Sequence, residues 1–144
     1  MARILAIDYG KKRTGLAVTD TLRITANPLC TVLTKDLPDW LTAELSKGEI
    51  DEVVIGKPTQ MNGEDSESAK YIAPFIGWFR NHFPAIQLIQ YDERFTSVLA
   101  HRAMIDGGMK RKQRQDKAVV DRLAATIILE DYLSTLNLFN NSKL

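Results

Sequence analysis

Two short apolar runs at the start of the chain flank a basic loop that contains glycine. Runs at residues 4–7 and 15–18, separated by so short a loop, are typical of a β-hairpin. The first run does not alternate between apolar and polar residues, which indicates a strand buried on both faces, as in the centre of an α/β sheet. A third run, at 24–32, contains Pro28, which we expect at an edge or a bulge because proline cannot donate to a strand ladder. These runs predict a three-stranded antiparallel meander.

The apolar period then becomes helical. Asp36 is placed to cap a helix that Gly48 would end. The apolar residues that recur at helical spacing between them are Leu37, Trp40, Leu41 and Leu45. A short apolar strand over 53–56 follows, and this succession predicts a right-handed parallel crossover.

A second crossover is predicted after a polar loop at 59–67. Its helix would start at Ser66 or Ser68, and Pro74 should kink or split it. A fifth strand is expected over 86–91, where another apolar run occurs.

The last third of the chain predicts two helices joined by a basic connector. Thr96 or Ser97 would cap the first helix, which Gly107 and Gly108 would close. The second helix is expected over about 116–136, with 137–144 as a frayed tail. Since no internal repeat or domain boundary is evident, we expect one domain over 1–137 and a flexible tail over 138–144.

Composition and charge are those of an ordinary soluble domain. The chain has 144 residues, 44% of them hydrophobic and 26% charged. With a net charge of +1, nucleic-acid binding would depend on local basic patches. One cysteine excludes an internal disulfide and, with two histidines, makes a poor zinc set. The absence of a long apolar segment at the start favours a cytoplasmic protein with no membrane association.

Three acidic residues are candidates for one site. Asp8 ends the buried first strand and needs a partner, which can be backbone N–H groups, a basic side chain or a metal ion. Glu93 follows the fifth strand, and sites in open α/β sheets form beyond the carboxyl ends of strands. Asp121 lies on or beside the apolar face of the last helix, four residues before Ala125. Converging carboxylates would repel one another, and Mg²⁺ relieves such repulsion.

Each acid also has an ordinary structural explanation. Asp8 can accept hydrogen bonds from the hairpin turn, Glu93 can form a surface pair with Arg94, and Asp121 can pair with a nearby cation. Joint placement favours a shared site, but spacing alone does not establish that the three converge.

Two basic segments are candidates for phosphate binding. The loop with Lys11, Lys12 and Arg13 directly follows Asp8, which suits a phosphate contact, although a solvated turn explains it equally well. The connector at 109–117 can order on a nucleic-acid partner or simply aid solubility. The large aromatic residues are best explained as core, because they make no interleaved stacking stripe; they are Trp40, Phe75, Trp78 and Phe79.

Four segments, in order along the chain, resemble the motifs of the bacterial YqgF family, pre-16S rRNA nucleases that are also described as Holliday junction resolvases. The segments are residues 8–17, residues 53–58 with Asn62-Gly63, residues 92–97, and Asp121 with the apolar residues after it. One departure is Phe95, where the family usually has Leu. The resemblance spans essentially the whole chain, and its ordered motifs are more specific than any one of them.

The resemblance implies a ribonuclease H-like α/β fold with a mixed five-stranded sheet in the order 3-2-1-4-5 and helices on both faces. It implies that Asp8, Glu93 and Asp121 form an acidic triad holding Mg²⁺ or Mn²⁺. In many ribonuclease H-like nucleases the second acid ends strand four, whereas this chain has Gly56 there. Glu93 must therefore reach across the end of strand four to meet Asp8.

The function we expect is metal-dependent cleavage of a phosphodiester in structured RNA or branched DNA, and the resemblance favours 5′-end trimming of precursor 16S rRNA. The residues expected to contact nucleic acid are Lys11, Arg13, Arg94, Lys110, Arg111 and Lys112. The alternatives are a junction resolvase, which would need a dimer, a non-catalytic nucleic-acid-binding module, and an actin-like phosphotransferase. A monomer or weak homodimer is expected.

Overall fold

Five strands form one mixed sheet in the order β3-β2-β1-β4-β5. The computed structural model describes residues 2–57, 69–92 and 117–142. The strands are β1 (Arg3–Asp8), β2 (Arg13–Thr19), β3 (Ala26–Leu33), β4 (Ile50–Lys57) and β5 (Gln87–Asp92), and the helices are α1 (Leu37–Leu45), α2 (Ala69–His82) and α3 (Lys117–Ser142). The predicted sheet order and the antiparallel meander are confirmed, and β4 and β5 run parallel to β1.

The central strand β1 is covered on both faces, which explains why its sequence does not alternate. Leu5 and Ile7 are fully buried in a cluster that includes residues of α1 and α2. Ile4 and Ala6 are fully buried on the opposite face in a cluster with residues of α3. The fold therefore has three layers, with helices on either side of the sheet.

Proline at position 28 lies where a missing backbone donor is tolerated. Strand β3 is at the edge of the sheet, as the strand order shows. Leu16 aligns with Cys30 and Ala17 with Pro28, so Leu29 is an extra residue that forms a bulge. Both parts of the prediction are confirmed, because Pro28 lies on an edge strand and next to a bulge.

Helix α1 has its predicted apolar face but not its predicted cap. Leu37, Leu41 and Leu45 are buried, and Gly48 after the helix has a φ of 75°, a left-handed conformation that favours glycine. Asp36 occupies the N-cap position but makes no side-chain capping hydrogen bond. The reason is its backbone, which is already helical (φ −95°, ψ −6°) because a 3₁₀ turn over Thr34–Asp36 leads into the helix.

Of the two outcomes predicted for Pro74, a kink or a split, the split does not occur. The helix continues from Ala69 to His82 with Pro74 inside it. Pro74 lies near the start of the helix on its exposed side, so the hydrogen bond that it removes leaves a carbonyl within reach of water. Burial of Ile72, Phe75 and Phe79 on the opposite side holds both halves against the sheet.

The last helix is longer than its apolar pattern predicts. It begins at Lys117 and ends at Ser142, six residues beyond the expected end at Leu136. The helix buries Ala125, Ile128 and Leu129. Only Ile128 of these belongs to the apolar stripe that helical spacing predicts, and three other members of that stripe, Leu123, Ala124 and Ile127, are only partly buried. Tyr132, on the same helix, donates a hydrogen bond of 2.9 Å to Glu52 Oε1, near the start of β4.

Because β1, β4 and β5 are parallel, the sheet has a carboxyl end, where these strands finish, and an amino end, where they begin. At the amino end Arg23 donates to the carbonyl of Ala2 (2.7 Å) and pairs with Asp51 and with Glu52. Burial and the bond to Glu52 raise the pKa of Tyr132 well above its ordinary value. This network ties the second half of α3 to the amino end of the sheet.

Several predicted elements lie outside the described residues. They are the polar loop at 59–67, the start of the second crossover helix at Ser66 or Ser68, the helix between Thr96 and Gly108, and most of the basic connector. Within the described ranges, no helix combines the length and the apolar character that a membrane span requires.

Candidate functional site

Asp8 is the last residue of the buried central strand and opens toward the carboxyl end of the sheet. Ile4 to Ile7 before it are fully inaccessible to solvent, whereas Asp8 is half-buried. It aligns with Gly15 of β2. On the other side Ile7 aligns with Ile55, which brings Gly56 level with Asp8. A rigid strand thus presents a carboxylate with no side chain beside it on β4.

The loop after Asp8 closes so tightly that Gly10 has no room for a side chain. A Cβ atom on Gly10 would overlap the carbonyl oxygen of Arg13. Glycine is therefore required at position 10, because the backbone approaches closely there. The exposed residues Lys11 and Lys12 follow it directly.

Thr34, the residue after β3, stabilises this loop through hydrogen bonds. The N–H of Thr34 donates to the carbonyl of Lys12 (2.9 Å), and its hydroxyl donates to the carbonyl of Gly10 (2.6 Å). Since that hydroxyl has one hydrogen, the buried hydroxyl of Thr14 donates to Thr34 Oγ1 at 3.0 Å. Thr14 and Thr34 therefore position the basic loop. Sequence reasoning missed them, although pairing of β2 with β3 was the signal that could have placed Thr34 beside Lys12.

Replacing Gly10 with Ala is expected to destabilise the protein by about 1–3 kcal/mol, because the new methyl group meets backbone that must move. The matched control is Gly77→Ala in α2, where a Cβ meets nothing within 4 Å. Removing a glycine from a helix there should stabilise by about 0.5–1 kcal/mol. Urea denaturation of both variants measures these changes, and equal midpoints would contradict the crowding at Gly10.

Aromatic side chains join the loop to α2. The ring of Tyr9, directly after Asp8, stacks on Phe75 with centroids 4.9 Å apart and an interplanar angle of 30°. The partial burial of Tyr9 raises the pKa of its phenol. Lys11 Nζ lies 5.2 Å from the centroid of the exposed Tyr71 ring. Tyr71 was also missed, because it flanks the apolar stripe of α2 rather than belonging to it.

The other predicted site residues are described only in part. Residue 121 lies within α3, whose side chains are described only from Leu123 to Leu136. Glu93 immediately follows Asp92, the last residue of β5, and lies outside the described ranges, as do Arg94, Lys110, Arg111 and Lys112. Arg13, the first residue of β2, is half-buried.

The described side chains include no group of three His, Cys, Asp or Glu residues that could hold a metal ion. Cys30 and His82 both contact apolar side chains. Cys30 packs partly buried against the cluster of α1 and α2, and His82 stacks on Trp78 with centroids 4.6 Å apart. Of the aromatic residues expected in the core, Phe75 and Phe79 are buried, and Trp40 and Trp78 pack partly buried against the same cluster.

Related proteins share both the sequence and the fold of this chain. A protein from Phocaeicola vulgatus named "Putative pre-16S rRNA nuclease" is 53% identical over 135 residues, which cover 94% of this chain and 97% of the relative. A protein of the same name from Bacteroides fragilis is 51% identical over 138 residues, covering 96% of this chain and all of the relative.

Two solved structures show the same fold at low identity. The fowlpox virus resolvase in complex with Holliday junction DNA has a TM-score of 0.55 and 18% identity, covering 93% of this chain and 98% of that one. Thermus thermophilus RuvC with a Holliday junction substrate has a TM-score of 0.50 and 18% identity, covering 89% and 92%. The shared architecture is the ribonuclease H-like fold.

The family model described as "RuvX: Holliday junction resolvase" matches residues 2–135. That match spans all four of the motifs identified in the sequence. Together with relatives about half identical over more than nine tenths of the chain, it shows that this chain belongs to the RuvX family, the family that its motifs resembled under the name YqgF.

Proposed function

We propose that this protein is a nuclease that hydrolyses a phosphodiester in nucleic acid with the help of a divalent metal ion, and that it trims the 5′ end of precursor 16S rRNA. The observation that carries the proposal is the position of Asp8. It is a half-buried carboxylate at the end of the central strand, followed at once by a loop with two exposed lysines. That arrangement offers a hard oxygen ligand beside groups that attract phosphate.

Asp8, Glu93 and Asp121 would hold Mg²⁺ or Mn²⁺, and carboxylate oxygens suit either ion. Sheet spacing supports the reach that Glu93 needs. Strand β4 separates β5 from β1, so the gap to cross is about 9.6 Å. At the level of Asp8 that gap is occupied by Gly56, which has no side chain to obstruct it.

Helix geometry supports the inclusion of Asp121. Tyr132 is held at the amino end of the sheet by Glu52, which aligns with Ile4. Position 121 lies about 16 Å back along α3 from Tyr132. Asp8 lies about 13 Å along β1 from Ile4. These two lengths support a site at the carboxyl end of the sheet that includes both positions.

The chemistry that a bound divalent ion supplies is activation of a water molecule and stabilisation of the leaving oxygen. The chain itself provides an ordered carboxylate, because β1 is fixed on both faces, and a phosphate contact from the basic loop. Lys11 and Arg13, with Arg94 from the segment after β5, would position the backbone of the substrate. Lys110, Arg111 and Lys112 would extend this contact along the connector.

A second candidate is resolution of four-way DNA junctions. The family description favours it, since the matching model is described as a Holliday junction resolvase. Symmetric cleavage of a junction would require two copies of the chain, whereas trimming of one RNA end needs only one.

A cleavage screen tests the proposal and separates the two candidates. Precursor 16S rRNA with its 5′ extension, single-stranded RNA and a four-way DNA junction are incubated with Mg²⁺, with Mn²⁺ or with EDTA. We expect the 5′ extension to be cut only with metal. Preferential cutting of the junction would favour the resolvase, and cleavage undiminished in EDTA would exclude metal dependence. Binding without cleavage of any substrate would indicate a non-catalytic module.

A further inference from the structure

An exposed aromatic ring stands beside the candidate site. Tyr71 lies in the first turn of α2 and is 49% exposed. Its neighbours Ile72 and Phe75 are buried, so its ring is not needed to cover the core. An exposed tyrosine on a rigid helix offers a flat surface on which a nucleic-acid base can stack.

The fold fixes this ring to the loop that follows Asp8. Phe75, one helical turn after Tyr71, stacks on Tyr9, the residue next to Asp8. Lys11 follows Asp8 by three residues, which span at most about 11 Å. Lys11 Nζ lies 5.2 Å from the Tyr71 ring centroid. Two segments far apart in the sequence thus place an aromatic ring and a cation together.

The contact between Lys11 and Tyr71 is of a kind that nucleic acid can replace. Both side chains are exposed, and cation–π contacts in water are weak. The flexible lysine stem allows the ammonium to leave the ring for a phosphate oxygen while a base takes its place on the ring. The ring then contacts the base of one nucleotide, and the ammonium contacts its phosphate.

We propose that Tyr71 and Lys11 form a platform for an unpaired nucleotide of the substrate, with the base stacked on Tyr71 and its phosphate bound by Lys11. The proposal deepens the proposed function and rests on it, because it specifies a single-stranded segment next to the scissile bond. A base inside a duplex cannot offer its face to the ring, so the platform selects unpaired nucleotides.

The test is equilibrium binding in EDTA, which is independent of cleavage. A short fluorescein-labelled single-stranded RNA and the same RNA annealed to its complement are titrated with protein, and anisotropy is measured. We expect Tyr71→Ala to weaken binding of the single strand by about tenfold, within the range of stacking contributions, and to leave duplex binding within about twofold. Tyr71→Phe retains the ring and should bind both probes like the unaltered protein.

Lys11→Ala tests the phosphate half of the platform. It should weaken both probes and reduce the slope of log affinity against log salt by about 0.7 for the single strand. The matched control is Lys47→Ala. Lys47 follows α1, forms an ion pair with Glu44 of that helix, and lies near the amino end of the sheet, away from the platform. We expect this control to leave the slope unchanged.

Single-strand binding by Tyr71→Ala within twofold of the unaltered protein would overturn the proposal, as would an equal loss for single strand and duplex. Circular dichroism of each variant verifies that the fold is retained, which the exposure of Tyr71 leads us to expect. If the cleavage screen fails while these binding differences appear, the platform belongs to a non-catalytic binding protein. If cleavage occurs without these differences, the substrate is held elsewhere.

Discussion

Asp8→Asn is expected to lower the rate of metal-dependent cleavage by about 10³-fold or more. Metal ions contribute several kcal/mol to stabilisation of such transition states, and each 1.36 kcal/mol corresponds to a factor of ten in rate. An amide keeps the shape of the carboxylate but removes the charge that favours a cation. Because Asp8 ends a strand whose four preceding residues are fully buried, the backbone should stay in place.

The matched control for Asp8→Asn is Glu49→Gln. Glu49 also carries one negative charge, but it is exposed just before β4, at the opposite end of the sheet. We expect this control to cleave at the rate of the unaltered protein. Calorimetric titration with Mn²⁺ gives a second readout, in which Asp8→Asn should lose the heat of binding and Glu49→Gln should keep it. Metal-dependent cleavage by Asp8→Asn at the unaltered rate would refute the assignment.

Phe79→Ala is expected to destabilise the protein by about 3–5 kcal/mol, the usual cost of truncating a fully buried phenylalanine. The Phe79 ring is inaccessible to solvent and lies between Phe75 and Phe83, at centroid distances of 6.2 Å and 5.1 Å. Its loss would leave a cavity between α2 and the sheet. For a chain of this size the melting temperature should fall by roughly 10–16 °C.

Leu22→Ala is the control for Phe79→Ala. Leu22 is 58% exposed, so its truncation should change the free energy of unfolding by no more than about 0.5 kcal/mol. Thermal and urea unfolding, followed by circular dichroism, measure both variants. A change below about 1 kcal/mol for Phe79→Ala would contradict the packing of α2 described above. Because Phe75 also supports Tyr9, weakened RNA binding by Phe79→Ala at temperatures where it remains folded would show that this packing supports the site.

Patterns that depend on burial could be predicted from the sequence, because burial imposes a period on the residues. The unbroken apolar run of β1 indicated a central strand with helices on both faces, and the structure places cores on both sides of it. Pro28 indicated an edge strand for the equally direct reason that it has no N–H to donate. These features follow from local composition and simple geometry.

Features set by tertiary contact were not predictable in the same way. Asp36 stands at the start of α1, but the preceding 3₁₀ turn determines its backbone and removes the cap. Pro74 was expected to kink or split α2, and burial of the opposite face keeps the helix from splitting. Tyr71 and Lys11 meet only because α2 begins at the end of the sheet where β1 finishes. The convergence of Glu93 and Asp121 on Asp8 stays a prediction.

The two faces of β1 are covered by different helices, and this has a consequence for synthesis of the protein. β1 is synthesised before the other four strands of the sheet, and β2 and β3 follow it directly. One face of β1 is then covered by α1 and α2, but Ile4 and Ala6 on the other face must await α3, which follows all five strands in the sequence. A nascent chain therefore exposes one apolar face of its central strand until α3 has left the ribosome, and a chain truncated before α3 would expose that face permanently and be prone to aggregate.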